Sequence, residues 1–324
     1  MSDTLVRIEN LKKYFKMNPE KLFGKPQYLK AVDGVSFEMK RGETFALVGE
    51  SGCGKSTIGR TITRIYEPDD GIVEFDGKNI SNMSEKELNI IRKHMQIIFQ
   101  DPFSSLNPHM TIEQVLSEPI KAYGKDVGDK GKYIESLLRK VGLSKSDMSR
   151  YSTEFSGGQI QRICIARALS ISPQFILCDE PTSALDVSIQ AQVINLLKDL
   201  QEEFGLTYLF ISHDLSVVRY ISHKVGVMYL GKIVEEAETK DFYDKPMHPY
   251  SKALLAAVPK SSPSSDVDES REILSGDVPS PMKLPAGCRF KSRCKYKLEK
   301  CDHVEPVLRE IESGHKVACH LYEK

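Results

Sequence analysis

The sequence predicts an α/β fold: a core of buried parallel strands alternating with helices, an antiparallel sheet beside it, and a small cysteine-bearing C-terminal extension. Three observations predict it. Short, wholly apolar runs such as Thr44–Val48, Phe175–Cys178 and Tyr208–Ile211 recur between stretches of helical spacing. A glycine-rich loop, Gly49-Glu50-Ser51-Gly52-Cys53-Gly54-Lys55-Ser56, follows the first of these runs and opens a helix. The second run ends in Asp179-Glu180, two carboxylates at the edge of a strand.

Taken in order, Leu5–Ile8 alternates and reads as a strand; Leu11–Phe15 follows, and a polar loop runs through Gly24 and Pro26. Val35–Met39 alternates again, and Arg41-Gly42 turns the chain into the Thr44–Val48 strand. After the loop, Ile58, Ile62 and Ile65 lie at helical spacing. Gly71–Phe75 alternates and Asp76-Gly77 marks a turn. Ser84 and Glu87 form a capping box that opens a helix through Arg92. Gln96–Phe99 is a buried strand ending at Gln100, and the prolines of Asp101–Pro108 rule out regular structure there. Thr111–Val141 reads as helices, and Ser156-Gly157-Gly158-Gln159 opens another. Ile189–Phe204 is amphipathic; Val225–Tyr229 and Ile233-Val234 are closing strands. Near Pro259 the composition shifts to the polar linker Lys260–Asp266.

With 324 residues the chain can bury one large core or two modest ones. Its 45 basic and 45 acidic side chains balance, so no general attraction to nucleic acid or an anionic membrane is expected. No apolar run approaches the roughly 20 residues of a membrane span. Met1-Ser2-Asp3-Thr4 lacks the basic and apolar regions of a signal peptide, so a cytosolic site is expected, and the seven cysteines read as thiols or metal ligands.

The loop fits G-x-x-x-x-G-K-[ST]. Its glycines permit close backbone approach to phosphate oxygens at a helix N-terminus, Lys55 adds a charge for the β- and γ-phosphates, and Ser56 can ligate Mg²⁺. Glu50, Ser51, Gly52, Cys53 and Thr57 complete the nucleotide cradle, and Cys53 beside the anion is expected to react with thiol reagents. Asp179 suits the second Mg²⁺ carboxylate, and Glu180, one residue on, faces the attacking water as general base.

With Gln100, Ser156-Gly157-Gly158-Gln159, Ser183-Ala184-Leu185-Asp186 and His213 in this order, the chain resembles the ATP-binding cassette family from about Leu5 to Pro259. That resemblance implies a RecA-like core, an antiparallel β subdomain and a helical signature subdomain at about residues 101–172, within a domain of residues 1–259. It implies two ATPs sandwiched in a dimer, with Ser156, Gly157, Gly158, Gln159 and Asp186 facing the partner's nucleotide. Gln100 would sense Mg²⁺ and water, and His213 would bond the γ-phosphate and Glu180. Phe15, with Tyr14 beside it, would stack on adenine; an ordinary core aromatic is the alternative. Gln100–Pro108, His248-Pro249-Tyr250 and Gly276–Pro281 resemble the oligopeptide and dipeptide importer ATPases, and Asp101-Pro102-Phe103 resembles their F-type subunit. The implied partners are a D-type sister ATPase, two transmembrane permeases and an extracytoplasmic substrate-binding protein, at the cytoplasmic face of the membrane. Nickel or oligosaccharide cargo is an alternative. DNA-repair ATPases fit less well, because no heptad run separates Gln100 from Ser156; two-cassette translation factors fit less well, because one cassette is present. Residues 260–324 hold Cys288, Cys294, Cys301 and Cys319 at C-x5-C-x6-C-x17-C. Structural zinc usually shows C-x2–4-C pairs, which neither gap fits; the resemblance points to a [4Fe–4S] cluster stapling a tail too small to fold unaided, with zinc or free thiols as the alternatives.

Overall fold

The computed structural model describes residues 3–17, 27–257 and 279–323. The loop expected through Gly24 and Pro26, the boundary at Pro259, the Lys260–Asp266 linker and Gly276–Val278 lie outside them. The elements run β1 (Thr4–Met17), β2 (Gln27–Lys40), β3 (Thr44–Val48), α1 (Lys55–Ile62), β4 (Asp70–Phe75), β5 (Lys78–Asn79) and α2 (Glu85–Arg92). Then come β6 (Met95–Ile98), α3 (Ile112–Ala122), α4 (Lys130–Lys140), α5 (Gly157–Leu169), β7 (Phe175–Asp179), α6 (Val187–Phe204) and β8 (Thr207–Ile211). The chain continues through α7 (Leu215–Ile221), β9 (Lys224–Tyr229), β10 (Lys232–Glu238), α8 (Thr239–Asp244), α9 (Pro249–Ala256), β11 (Arg309–Glu312) and β12 (His315–Val317).

These elements divide into two units, one comprising Lys40–Glu43 and Asn82–Ile211, the other Ser2–Met39, Thr44–Ser81 and Ser212–Lys324. In the first unit β6, β7 and β8 are parallel, with β7 central. Every residue of β7 and β8 is buried, as strands covered on both faces require. Helix α2 begins with the expected box: the Ser84 N–H donates to the Glu87 carboxylate at 2.9 Å. Thr111 and Gln114 cap α3 in the same way, at the residue where the helical stretch is expected to begin.

In the second unit β1, β2, β4 and β5 form one sheet in the order β2-β1-β4-β5. Strand β1 pairs antiparallel with β4. It is a single strand where the sequence reading has two short runs. Its polar Glu9-Asn10 break is a bulge: the register shifts between Glu9 and Lys12, and Asn10 takes φ 48°. The other sheet of this unit pairs β3 in parallel with β9, β9 antiparallel with β10, and β10 antiparallel with β12. The C-terminal extension is thus knitted into the sheet, with Glu235 opposite Val317. It also lends a core residue. Phe290 is 3% exposed and sits with ring centroids 5.3 Å from Tyr229 and 5.4 Å from Tyr250. Among the described residues no helix is long and apolar enough to cross a membrane.

His248 caps α9: its Nδ1 accepts the Tyr250 N–H at 3.1 Å, and its ring lies 5.7 Å from that of Phe290. Burial pushes its pKa down to about 4; the nearby Glu235 carboxylate opposes this and Lys252 adds to it.

Two predictions follow from this packing. Phe290→Ala should cost about 3–5 kcal/mol of stability, read as a lower urea midpoint with unchanged slope. His248 takes up a proton near pH 6.5 when unfolded but only near 4 when folded. Its contribution is therefore complete above pH 6.5 and fades by roughly 3 kcal/mol as pH falls toward 4. His248→Asn keeps a capping side chain and should lose less stability than the parent between pH 7.5 and pH 5; equal losses would assign the acid lability elsewhere.

Candidate active site

The glycine-rich loop belongs to the second unit. Gly54 stands before α1 with φ 108° and offers no side-chain cap to the first helical turn. A Cβ at Gly54 would meet the Ala31 carbonyl oxygen at 2.0 Å, so only glycine fits this bend. An uncapped helix N-terminus behind such a bend suits an anion. Lys55 is buried, and its Nζ donates to the carbonyls of Gly49 at 2.9 Å and Glu50 at 3.0 Å. Ser51 and Gly52 form the exposed crest of the loop; Ser56 and Thr57 lie half-buried in the first turn of α1.

Cys53 is not the reactive thiol the sequence leads one to expect. It is 5% exposed, and burial pushes its thiol pKa up despite the nearby Lys55, which makes it a poor nucleophile. Its carbonyl accepts the Gly231 N–H at 2.9 Å.

Glu50 is held at both ends. Its N–H donates to the Tyr250 hydroxyl at 2.9 Å, and its carboxylate accepts both terminal nitrogens of Arg293 at 2.8 and 2.9 Å. Phe15 lies half-buried on β1, edge-on to Tyr66 at 5.4 Å, with Lys13 Nζ 5.6 Å from its ring centre. The neighbouring Tyr14 donates its hydroxyl to Asp33, whose other oxygen accepts from Arg289. Burial alone would raise the Asp33 pKa, but Tyr14 and Arg289 outweigh it and hold the carboxyl below its usual range. His213 is exposed in the loop before α7, beside Asp214, which caps that helix.

The first unit carries the rest. Asp179 ends β7 at 1% exposure. Glu180 follows in the left-handed region at φ 48°, its N–H bonded to the Ile211 carbonyl at 3.1 Å. A non-glycine residue at positive φ is uncommon, and such strain gathers at functional positions. The Gln100 amide donates to the Glu180 carboxylate at 3.0 Å, a pairing the sequence reading did not foresee. Ser156 caps α5 with Gln159 as reciprocal partner, its N–H donating to Gln159 Oε1 at 3.0 Å. Gly157 and Gly158 form the first turn, where a Cβ on Gly158 would lie 2.4 Å from the Ile189 Cγ2 of α6. Asp186 caps α6, and the Ile189 N–H and Ser188 hydroxyl hold its carboxyl below the usual range. The Ser56 hydroxyl and, in the other unit, the Gln100 amide oxygen and Asp179 carboxylate are each the oxygen type of ligand that Mg²⁺ prefers.

The expected tail cluster finds no such fit. Among the described residues no three His, Cys, Asp or Glu side chains are arranged to hold a metal ion. Cys288 feels Cys294, Cys301 and Cys319; burial first, and these thiols in addition, push Cys288 and Cys319 up to about 11. The tail also has anchors of another kind. The tail is held by β12, Phe290 and the ion pairs of Arg289 and Arg293.

Arg289 and Arg293 are missing from the sequence reading altogether. Their only local signal is that each neighbours a cysteine, and the Asp33 and Glu50 carboxylates they meet are more than two hundred residues away.

Comparison with known proteins identifies relatives of the whole chain. Residues 32–183 match the ABC transporter family model, and residues 234–301 match the oligopeptide/dipeptide transporter C-terminal region. The oligopeptide transport ATP-binding protein AppF of Bacillus subtilis (strain 168) is 51% identical, over 99% of this chain and 98% of its own. The corresponding OppF of Haemophilus influenzae is 47% identical, over 98% and 97%. Among solved structures, a dimeric ATP-binding cassette in a post-hydrolysis state with ADP and Pi is 29% identical. It matches with a TM-score of 0.65, over 72% of this chain and 99% of that one.

Proposed function

The chain belongs to the ABC transporter ATP-binding family, in its oligopeptide/dipeptide branch, and from that premise we propose that it drives peptide import by binding and hydrolysing ATP. Gly49–Thr57 would cradle the phosphates, with Lys55 turning from its own loop carbonyls to the β- and γ-oxygens. Phe15 would stack on adenine. Ser56, Gln100 and Asp179 would hold Mg²⁺, which when bound neutralises charge on the transferring phosphoryl group.

Glu180 would take the proton of the attacking water. The Gln100 amide keeps its carboxylate aimed, and His213 would donate to the γ-phosphate. The single observation that carries this reading is Glu180 itself. Its strained backbone follows immediately upon a buried strand-end Asp179, and one polar side chain orients it. Ser156, Gly157, Gly158 and Asp186 would meet the nucleotide of a second cassette, so hydrolysis removes the bridge between the two.

That second cassette is read as a D-type sister subunit. The pair would sit at the cytoplasmic face of the membrane on two permeases fed by a binding protein, with no nucleic-acid partner. An iron–sulfur cluster has no part in this reading.

Glu180→Gln should lower ATP turnover by ~10²–10⁴ while leaving ATP affinity intact, and should trap an ATP-bound dimer visible by size-exclusion chromatography. Turnover at the parent rate would refute Glu180 as the base.

A further inference from the structure

We propose that the C-terminal tail is part of the nucleotide site: Arg293 positions the phosphate loop through Glu50, and Arg289 positions the adenine-side strand through Asp33 and Tyr14. This rests on the reading of Gly49–Thr57 and Phe15 as the nucleotide-binding residues.

The loop needs outside support. Its glycines give it freedom to approach an anion but nothing to pack with. Arg293 supplies a rigid fork. Its side chain is 6% exposed, and two parallel bonds at 2.8 and 2.9 Å fix the Glu50 carboxylate in plane as well as in distance. The Glu50 amide is fixed independently by Tyr250, whose ring packs on Phe290, three residues before Arg293. One short stretch of tail therefore holds the second loop residue by both its backbone and its side chain.

Arg289 works on the opposite side. Its guanidinium, 8% exposed, donates to Asp33 and to the Leu230 carbonyl. The next residue, Gly231, donates its N–H to the Cys53 carbonyl of the loop. Asp33 in turn accepts the Tyr14 hydroxyl, and Tyr14 adjoins Phe15. Arg293 bonds the cradle at the Glu50 side chain, and Arg289 bonds Asp33 and Leu230 outside it, so both are positioning residues.

The two routes predict different losses. Arg293→Gln should weaken binding of ATP and of inorganic tripolyphosphate alike, each by about tenfold, because the cradle is shared. Arg289→Gln should weaken ATP by a similar factor and tripolyphosphate clearly less, because only its Leu230 contact leads to the cradle while its Asp33–Tyr14 contacts serve the base end. Glu50→Gln should resemble Arg293→Gln, and the double variant should be no weaker than either single one, the signature of a coupled pair. Arg293→Lys, which keeps charge but not the fork, should fall between the parent and Arg293→Gln and covers the case in which Arg293→Gln does not fold.

Affinities would be measured by calorimetry on the full chain, with melting temperature recorded for each variant. The proposal is overturned if Arg293→Gln and Arg293→Lys bind ATP as the parent does, if the Glu50 and Arg293 effects multiply, or if Arg289→Gln loses both ligands equally. A separate control tests the underlying reading: if Lys55→Ala binds ATP as tightly as the parent, the loop is not the nucleotide site.

Discussion

A loop that must wrap an anion with its own backbone cannot also hold itself in shape. Glycine at Gly54 is unavoidable, because any side chain would strike the Ala31 carbonyl. The same glycines remove the packing groups that would keep the loop rigid. The protein meets this constraint with contacts from elsewhere in the unit: the Glu50–Arg293 fork, the Tyr250 hydroxyl on the Glu50 amide, and the Gly231 amide on the Cys53 carbonyl. Lys55 adds bonds to Gly49 and Glu50 from within.

That constraint explains why the tail is built as it is. On composition it cannot bury enough surface to stand alone. It borrows stability by adding β12 to β10 and by inserting Phe290 among Tyr229 and Tyr250. Once anchored there, Arg289 and Arg293 lie where they meet Asp33 and Glu50.

In the other unit, local capping and proposed chemistry share the same side chains. Ser156 and Gln159 close the first turn of α5, and Asp186 closes that of α6. These bonds orient the residues and satisfy helix termini at the same time. Glu180 differs: its left-handed backbone is a local cost of about 1–3 kcal/mol, tolerated because the Ile211 carbonyl and Gln100 fix it from outside.

The chain's own order of residues determined the elements and the local motifs. Buried parallel strands were legible as apolar runs, the α2 cap as Ser84 and Glu87, and the phosphate loop as glycine spacing between a strand and a helix, because each of these is an interaction among near neighbours. It misplaced the Glu9-Asn10 break, since a bulge and a strand end look alike until a partner strand is present. It expected a reactive Cys53, since burial has no local signature. The Gln100–Glu180 bond, the Arg289–Asp33 pair and the Arg293–Glu50 fork were decided only by the tertiary structure. Each joins residues from 80 to more than 200 positions apart, and which of many arginines meets which carboxylate depends on how the sheets and Phe290 pack.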